Sequence, residues 1–226
     1  MPPAKPPAPR AVVLALVALT FTTGLVDAVS FLGLGRVFCA NMTGNVVLLG
    51  FGLAGSDGLP VLAPLASLGA FVLGAALAGA LLRRRAASGP PGPLDLARAL
   101  AVEGVLAAAA TVILIVDPGL AAGTFTAGVV IALLASSMGI RNAVVRKLAV
   151  PELTTTVLTM TVTGLAADGT TAAPGAHGRR LAAVAAMLLG ALVGALFVKS
   201  TLWPPLALTA ATAAALAVWL RVTFAR

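Results

Sequence analysis

Asn41, Thr43 and Asn45 stand around Gly44 in the stretch FCANMTGNVVLL, residues 38–49, with apolar residues on both sides. Further along, ELTTTVLTMTVTG, residues 152–164, carries six threonines. Amides and hydroxyls are neutral donors and acceptors. In apolar surroundings they either hold a small solute or bond to nearby backbone. At 100° per residue, roughly the helical step, Thr155, Thr156, Thr159 and Thr163 share one helix face, with Thr154 and Thr161 opposite. Asn41 and Asn45, one turn apart, are expected to share a face as well. Two acids complete the set, Asp27 in GLVDAV and Glu103 in AVEGV. A carboxylate within lipid costs about 2.5–3.5 kcal/mol on insertion scales, so it marks proton uptake or cation binding by default. The plainer alternatives are Asp27 as a helix-end residue paired with Arg36, and Glu103 near a helix end beside Arg98.

Other chemistry has no parts. The single cysteine, Cys39, permits no internal disulfide. The single histidine, His177, falls in a Gly/Ala/Pro-rich stretch read as a loop. No nucleophile-elbow or P-loop pattern occurs. The sequence therefore predicts no enzyme, no catalytic residue, no metal and no cofactor.

The elements that position these residues follow from composition. Of 226 residues, 60% are hydrophobic and 10% charged, with mean hydropathy +1.07. Soluble domains carry about 25% charged residues, so this chain has too few to cover a watery surface. Its partner is the lipid bilayer. The net charge of +8 is read as loop residues that set orientation, not as a nucleic-acid surface. Apolar segments are read at 11–33, 38–54, 60–82, 96–116, 121–140, 153–167, 181–198 and 204–224, after a Pro-rich, disordered cytoplasmic N-terminus at 1–10. The first segment is expected to be an uncleaved membrane helix. Six segments have the roughly 20 residues a span needs; 38–54 and 153–167 are shorter and the most polar.

Charge separates two topologies. If all eight segments cross, nine of the fifteen basic residues fall outside. If the two short segments enter and leave on one face, thirteen are cytoplasmic and only Arg36 and Lys199 are outside. The second arrangement obeys the positive-inside rule. The expected fold is all-α and polytopic: six spanning helices plus two short, polar, re-entrant helical segments, in one membrane domain at 11–226. Both termini are then cytoplasmic. Arg141, beside Asn142, reads as a cytoplasmic anchor.

A shift of 115 superposes GLVDAV (24–29) on GIRNAV (139–144) and ALAGAL (76–81) on ALVGAL (191–196). Asp27 meets Asn142, and the first short segment meets the second. Halves at 11–116 and 121–226 would be inverted copies, a transporter plan in which short polar segments in matching positions mark the site. Gly190 and Gly194, matched by Ala75 and Gly79, form small-residue faces suited to close helix contact, within the chain or in a homo-oligomer.

The stretches GLVDAVSFLGLGRVFCANMTGNVVLLG and MGIRNAVVRKLAVPELTTTVLTMTVTGLAAD resemble the YoaK-like family of bacterial inner-membrane proteins, a domain of unknown function. The resemblance covers about residues 11 to 224. It carries over Asp27, Asn41, Thr43, Gly44, Asn45, Asn142 and the Thr154–Thr163 set, and implies a multi-helix membrane protein of permease type without naming a solute. The leading expectation is a small secondary transporter or permease for a small solute. Its pathway would hold Asn41, Thr43, Gly44, Asn45, Thr155, Thr156, Thr159, Thr163 and Asn142, with Asp27 and Glu103 for proton or cation coupling. A passive channel and a non-transporting membrane scaffold are the alternatives.

Overall fold

The computed structural model describes residues 9–56, 58–85, 89–148, 158–168 and 175–225. Thr154, Thr155 and Thr156 lie outside the described residues, as does most of the expected disordered N-terminus. The described residues form eight helices: α1 Arg10–Gly33, α2 Met42–Leu53, α3 Leu62–Arg84, α4 Pro93–Val116, α5 Phe125–Leu148, α6 Leu158–Ala167, α7 Ala176–Val198 and α8 Trp203–Phe224. Six are long and apolar enough to cross a membrane, and α2 and α6 are not. Proline in the first turn starts α4 and α8, where its missing N–H costs no hydrogen bond. Asp95 Oδ2 accepts from Gly92 N at 3.1 Å and fixes the start of α4.

Two buried clusters mark the two ends of the bundle. One joins Val12–Leu19 of α1, Leu96–Leu100 of α4, Val144 and Val145 of α5, Ala183 of α7 and Ala217 and Leu220 of α8. The other joins Val26 and Val29 of α1, Ala110 and Leu114 of α4, Ala127–Met138 of α5 and Leu206 of α8. Helices α1, α4 and α7 therefore run one way, and α3, α5 and α8 the other. The basic residues of the long helices, Arg83, Arg84, Arg98, Arg146, Lys147, Arg179 and Arg221 among them, gather at the first end; Arg36 and Lys199 sit at the second.

The closest packing is α1 on α7, α3 on α5 and α4 on α8. Glycine permits the first two. A Cβ on Gly24 would lie 2.5 Å from Met187 O, and one on Gly190 would overlap Phe21 O. On the other pair, Cβ atoms on Gly139 and Gly74 would overlap Phe71 O and Ser136 O. The outer faces of α3 and α7 carry exposed leucines such as Leu73, Leu77, Leu188 and Leu192, the surface that lipid covers.

Several expectations need correction. Helix α5 does not stop at 140 but continues to Leu148, because the polar pair Arg141 and Asn142 is accommodated inside the bundle. Helix α7 starts at Ala176, so His177 lies in its first turn and not in a loop. The Gly190–Gly194 stripe is covered by α1 of the same chain: Gly194 lies against Leu25 and Ala28. It offers no face to a second copy. On α3 the buried glycine and alanine are Gly74 and Ala78. Ala75 touches α5 at Gly139, while a Cβ on Gly79 would meet only the Arg83 guanidinium of its own helix, at 3.4 Å.

Candidate functional site

The chain reverses after α1 through Gly35 (φ 107°) and Arg36 (φ 54°), both left-handed; glycine adopts the first without steric cost. Residues Leu34, Val37, Cys39 and Ala40 are then buried as the segment runs back into the bundle. It stops at Asp27. Cys39 N and Ala40 N donate to Asp27 Oδ1 at 3.1 and 2.9 Å. Asp27 lies six residues before the end of α1, about 9 Å along the axis at 1.5 Å per residue. Asp27 is thus paired with backbone and not with Arg36.

Asn41 follows as the N-cap of α2, its Oδ1 accepting from Gly44 N at 3.2 Å. Asn is among the best residues for this place because its short side chain reaches the free N–H groups of the first turn. Asn41 is therefore not on a helix face with Asn45. Asn45 is fully buried and turned to the protein: its Oδ1 accepts from Phe38 N at 2.9 Å, and its Nδ2 donates to Phe38 O at 2.6 Å and Ser67 Oγ at 3.2 Å. Ser67 also donates to Phe38 O at 2.7 Å. This amide ties the inward-running segment to α2 and α3. Helix α2 then leads away from Asp27, and Gly52 packs on Pro60 and Val61 at the approach to α3. With 12 residues in α2 and 10 in α6, the two reach about 18 and 15 Å, against a hydrocarbon thickness of about 30 Å.

The start of α6 meets the start of α2. Thr23 and Asp27 of α1, Asn41, Leu158 and Thr159 of α6, and Met187 of α7 line one cavity of about 130 Å³. Asp27 is 6% exposed, and its Oδ2 has no hydrogen-bond partner. Asn41 and Thr159 are shared with an adjoining, larger cavity of about 490 Å³ that also has Phe31, Phe38, Thr43 and Gly44 on its wall. Phe31 and Phe38 are stacked there, ring centroids 4.8 Å apart. Asp27, Asn41, Thr43, Gly44 and Thr159 thus come together as one polar region.

The other expected site residues lie elsewhere. Thr163 is exposed and donates to Thr159 O at 2.9 Å, satisfied on its own helix; Thr161 is on the buried side of α6. Thr155 and Thr156 lie outside the described residues. Asn142 donates to Met138 O at 2.8 Å and lines a different cavity, with Phe71, Ala75, Gly79, Arg146 and Lys147 at the basic end of α3 and α5.

Glu103 and Arg141 form a pair that pattern reading misses. Arg141 is no anchor: it is fully buried, its Nη1 2.8 Å from Glu103 Oε1, with neither side chain exposed. Arg141 also donates to Thr22 Oγ1 at 3.3 Å and Thr23 Oγ1 at 2.5 Å. Helices α4, α5 and α1 are thereby joined at the centre, and Thr23 connects this network to the Asp27 cavity. Glu103 Oε2 and Arg141 Nε have no partner. Arg180 is a second interior guanidinium, donating to Gly164 O at 2.7 Å and Asp168 at 2.6 Å, which fastens the end of α6 to α7. The one signal available was the coincidence of an acid and a base, Glu103 and Arg141, each set inside an otherwise apolar helix. Ser67, Thr23 and Met187 carry no sequence signal of their own. Among the described residues, no three His, Cys, Asp or Glu side chains converge as a metal site.

Comparison with known proteins agrees with this architecture. The chain is 34% identical over 152 residues to the UPF0700 transmembrane protein YoaK of Bacillus subtilis (strain 168). That match covers 66% of this chain and 64% of the relative, so the chain spans just under two thirds of the length of the curated relative it matches. No solved structure matches. The described residues form six helices long and apolar enough to cross a membrane; the model of a family described as a protein of unknown function (DUF1275) matches residues 15–219, and the chain belongs to that family.

Proposed function

We propose that this protein is a small secondary transporter or permease whose solute site is the cavity between the starts of α2 and α6. The observation that carries the reading is Asp27. One carboxylate oxygen is held by two backbone N–H groups, and the other is partnerless beside a cavity walled by both short helices. Discontinuous helices that begin near the midplane are where transporters of this plan hold solutes. Backbone as irregular as residues 34–41 is tolerated at depth only when buried in protein or lining a cavity.

On this reading the two halves are inverted copies. Each half has three long helices, an odd number, so the second half begins on the opposite face. The pairings support it: Phe21 meets Gly190 as Ser136 meets Gly74, and Gly24 meets Met187 as Gly139 meets Phe71. The offset is 115 between α1 and α5 and 116 between α3 and α7, one residue away from a gapless register. Helix direction supports re-entrant α2 and α6. Eight crossings would make α4 and α8 parallel. They are antiparallel, with Gly104 against Ala210 and Ala214, and Leu94 near Phe224, as six crossings require. The basic end is then cytoplasmic, with both termini, and α2 and α6 enter from opposite faces. The reading involves no catalysis.

Accessibility tests it. In a Cys39→Ala background, Asn41→Cys and Thr159→Cys proteins in right-side-out and inverted vesicles are exposed to a membrane-impermeant thiol reagent. Both positions are expected to react from both faces. Reaction at neither position would indicate a dry scaffold, and reaction from one face only a dead-end cavity; each overturns transport. Asn41 keeps its amide NH₂ after capping, a donor that a passive channel would also use. Flux unchanged by a proton or cation gradient identifies that alternative.

A further inference from the structure

We propose that the solute is a small organic ammonium cation, with Asp27 Oδ2 as its counter-ion and the Phe31–Phe38 vestibule as its approach. The inference rests on the transport reading for the site but concerns its chemistry. Among the described residues, Asp27 is the single charged side chain that lines either of the two adjoining cavities. The nearby interior cation is already spent: Arg141 is bound to Glu103 at 2.8 Å and reaches the cavity wall only by way of Thr23. The cavity therefore carries negative charge.

An anionic solute would meet the Asp27 carboxylate at the place where this helix start would otherwise receive it. A helix start attracts anions through its unpaired N–H groups. Here Cys39 N and Ala40 N are bound to Asp27 Oδ1, and Gly44 N to Asn41 Oδ1. The carboxylate is itself the anion of this helix start. Asp27 Oδ2, buried and without a partner, is left as an acceptor for a cation from outside the chain.

The remaining wall suits an alkylammonium better than a bare metal ion. Among the described residues, Thr23, Asn41, Thr159 and Met187 line the cavity with Asp27 and add no second carboxylate, too few anionic oxygens for a hard dication, which gathers six or more oxygen ligands. The outer cavity adds the stacked Phe31 and Phe38 rings with Val47 and Leu48. Aromatic faces attract ammonium groups, and apolar side chains take the alkyl part. A carboxylate at the bottom and aromatic rings at the mouth form an ammonium-recognition pair.

The test is binding to the full chain in lipid nanodiscs by calorimetry, at constant ionic strength, with ethylammonium, tetramethylammonium, sodium and acetate. The alkylammonium ions are expected to bind and acetate not to. Asp27→Asn is expected to weaken ethylammonium binding by roughly tenfold or more, the loss of one charged hydrogen bond. The variant amide oxygen can still accept from Cys39 N and Ala40 N, so the fold is kept. Thr159→Val, in the first turn of α6, gives a second reading with a smaller expected loss. Equal binding of acetate, unaltered ethylammonium binding by Asp27→Asn, or sodium bound as well as ethylammonium each overturns the proposal. Ammonium binding with thiol access from one face sinks transport alone. Access from both faces without ammonium binding sinks the solute class alone.

Discussion

Replacing Glu103 by Gln removes the carboxylate bonded to Arg141 and leaves the neighbouring shape almost unchanged. Both side chains have zero exposure, and the ion pair measures 2.8 Å. Removing one partner of a buried pair costs about 3–5 kcal/mol, because the other charge is left uncompensated. An independent route gives about 2.5–3.5 kcal/mol for one arginine at the centre of a bilayer. Arg141 keeps its bonds to Thr22 and Thr23, and the chain unfolded in lipid also finds polar partners. The lower end therefore applies, and Glu103→Gln is expected to destabilise by about 3 kcal/mol. Glu103→Gln combined with Arg141→Met removes both charges at similar volume, and should return stability to within about 1 kcal/mol of wild type. Unfolding by sodium dodecyl sulfate in mixed micelles, followed by circular dichroism, measures both, and the cycle with Arg141→Met gives the coupling. A single variant within about 1 kcal/mol of wild type, or a double variant no more stable than the single, would refute the placement of an isolated ion pair at the bundle centre.

Other outcomes follow from the same packing. Asn45→Ala should cost about 1–3 kcal/mol, the price of leaving Phe38 N unsatisfied, and should speed labelling of buried Cys39 by a thiol reagent in detergent. Gly190→Ala forces a Cβ onto Phe21 O and should lower stability by about 1–3 kcal/mol. Gly79→Ala, with only the tip of Arg83 nearby, should leave the melting temperature unchanged.

The long helices were legible because crossing lipid demands an unbroken apolar run, and that demand is written residue by residue. Their ends were less legible where a polar residue sits inside the helix. Arg141 looked like the cytoplasmic end of its segment because its partner, Glu103, lies 38 positions earlier and on another helix. An interhelical pair has no local period. The Asn41–Asn45 cluster was found, but its members divide by roles that only geometry assigns: Asn41 caps α2 beside the cavity, and Asn45 is consumed by Phe38 and Ser67. Thr163 shows the same ambiguity resolved toward its own backbone. The glycine stripes were visible as small residues, whereas the choice of Gly74 and Ala78 over Ala75 and Gly79 depends on rotation of α3 against α5, to which an Ala- and Gly-rich run is indifferent.

In the proposed repeat, packing is conserved between halves while charge is not. With the offset of 115, Asp27 corresponds to Asn142 and Arg141 to Val26; Glu103 falls on Val218 or, with 116, on Trp219. Each buried charge of the bundle core thus has an uncharged counterpart. The cavity beside Asn142 is bordered by Arg146 and Lys147, so exchange of the two halves would carry an acidic cavity onto a basic one. On the proposed reading, similar packing in the two halves would give two conformations of similar energy, as alternating access requires. Unequal charge would then make the two ends inequivalent to the proposed cation: Asp27 would retain it on one side, and the basic border would favour its departure from the other. The Glu103–Arg141 pair spans this boundary as a neutral unit, joining α4, α5 and α1 without adding charge to either cavity. Selectivity by sign would then rest on Asp27, because among the described residues the other interior charges are paired, Glu103 with Arg141 and Asp168 with Arg180.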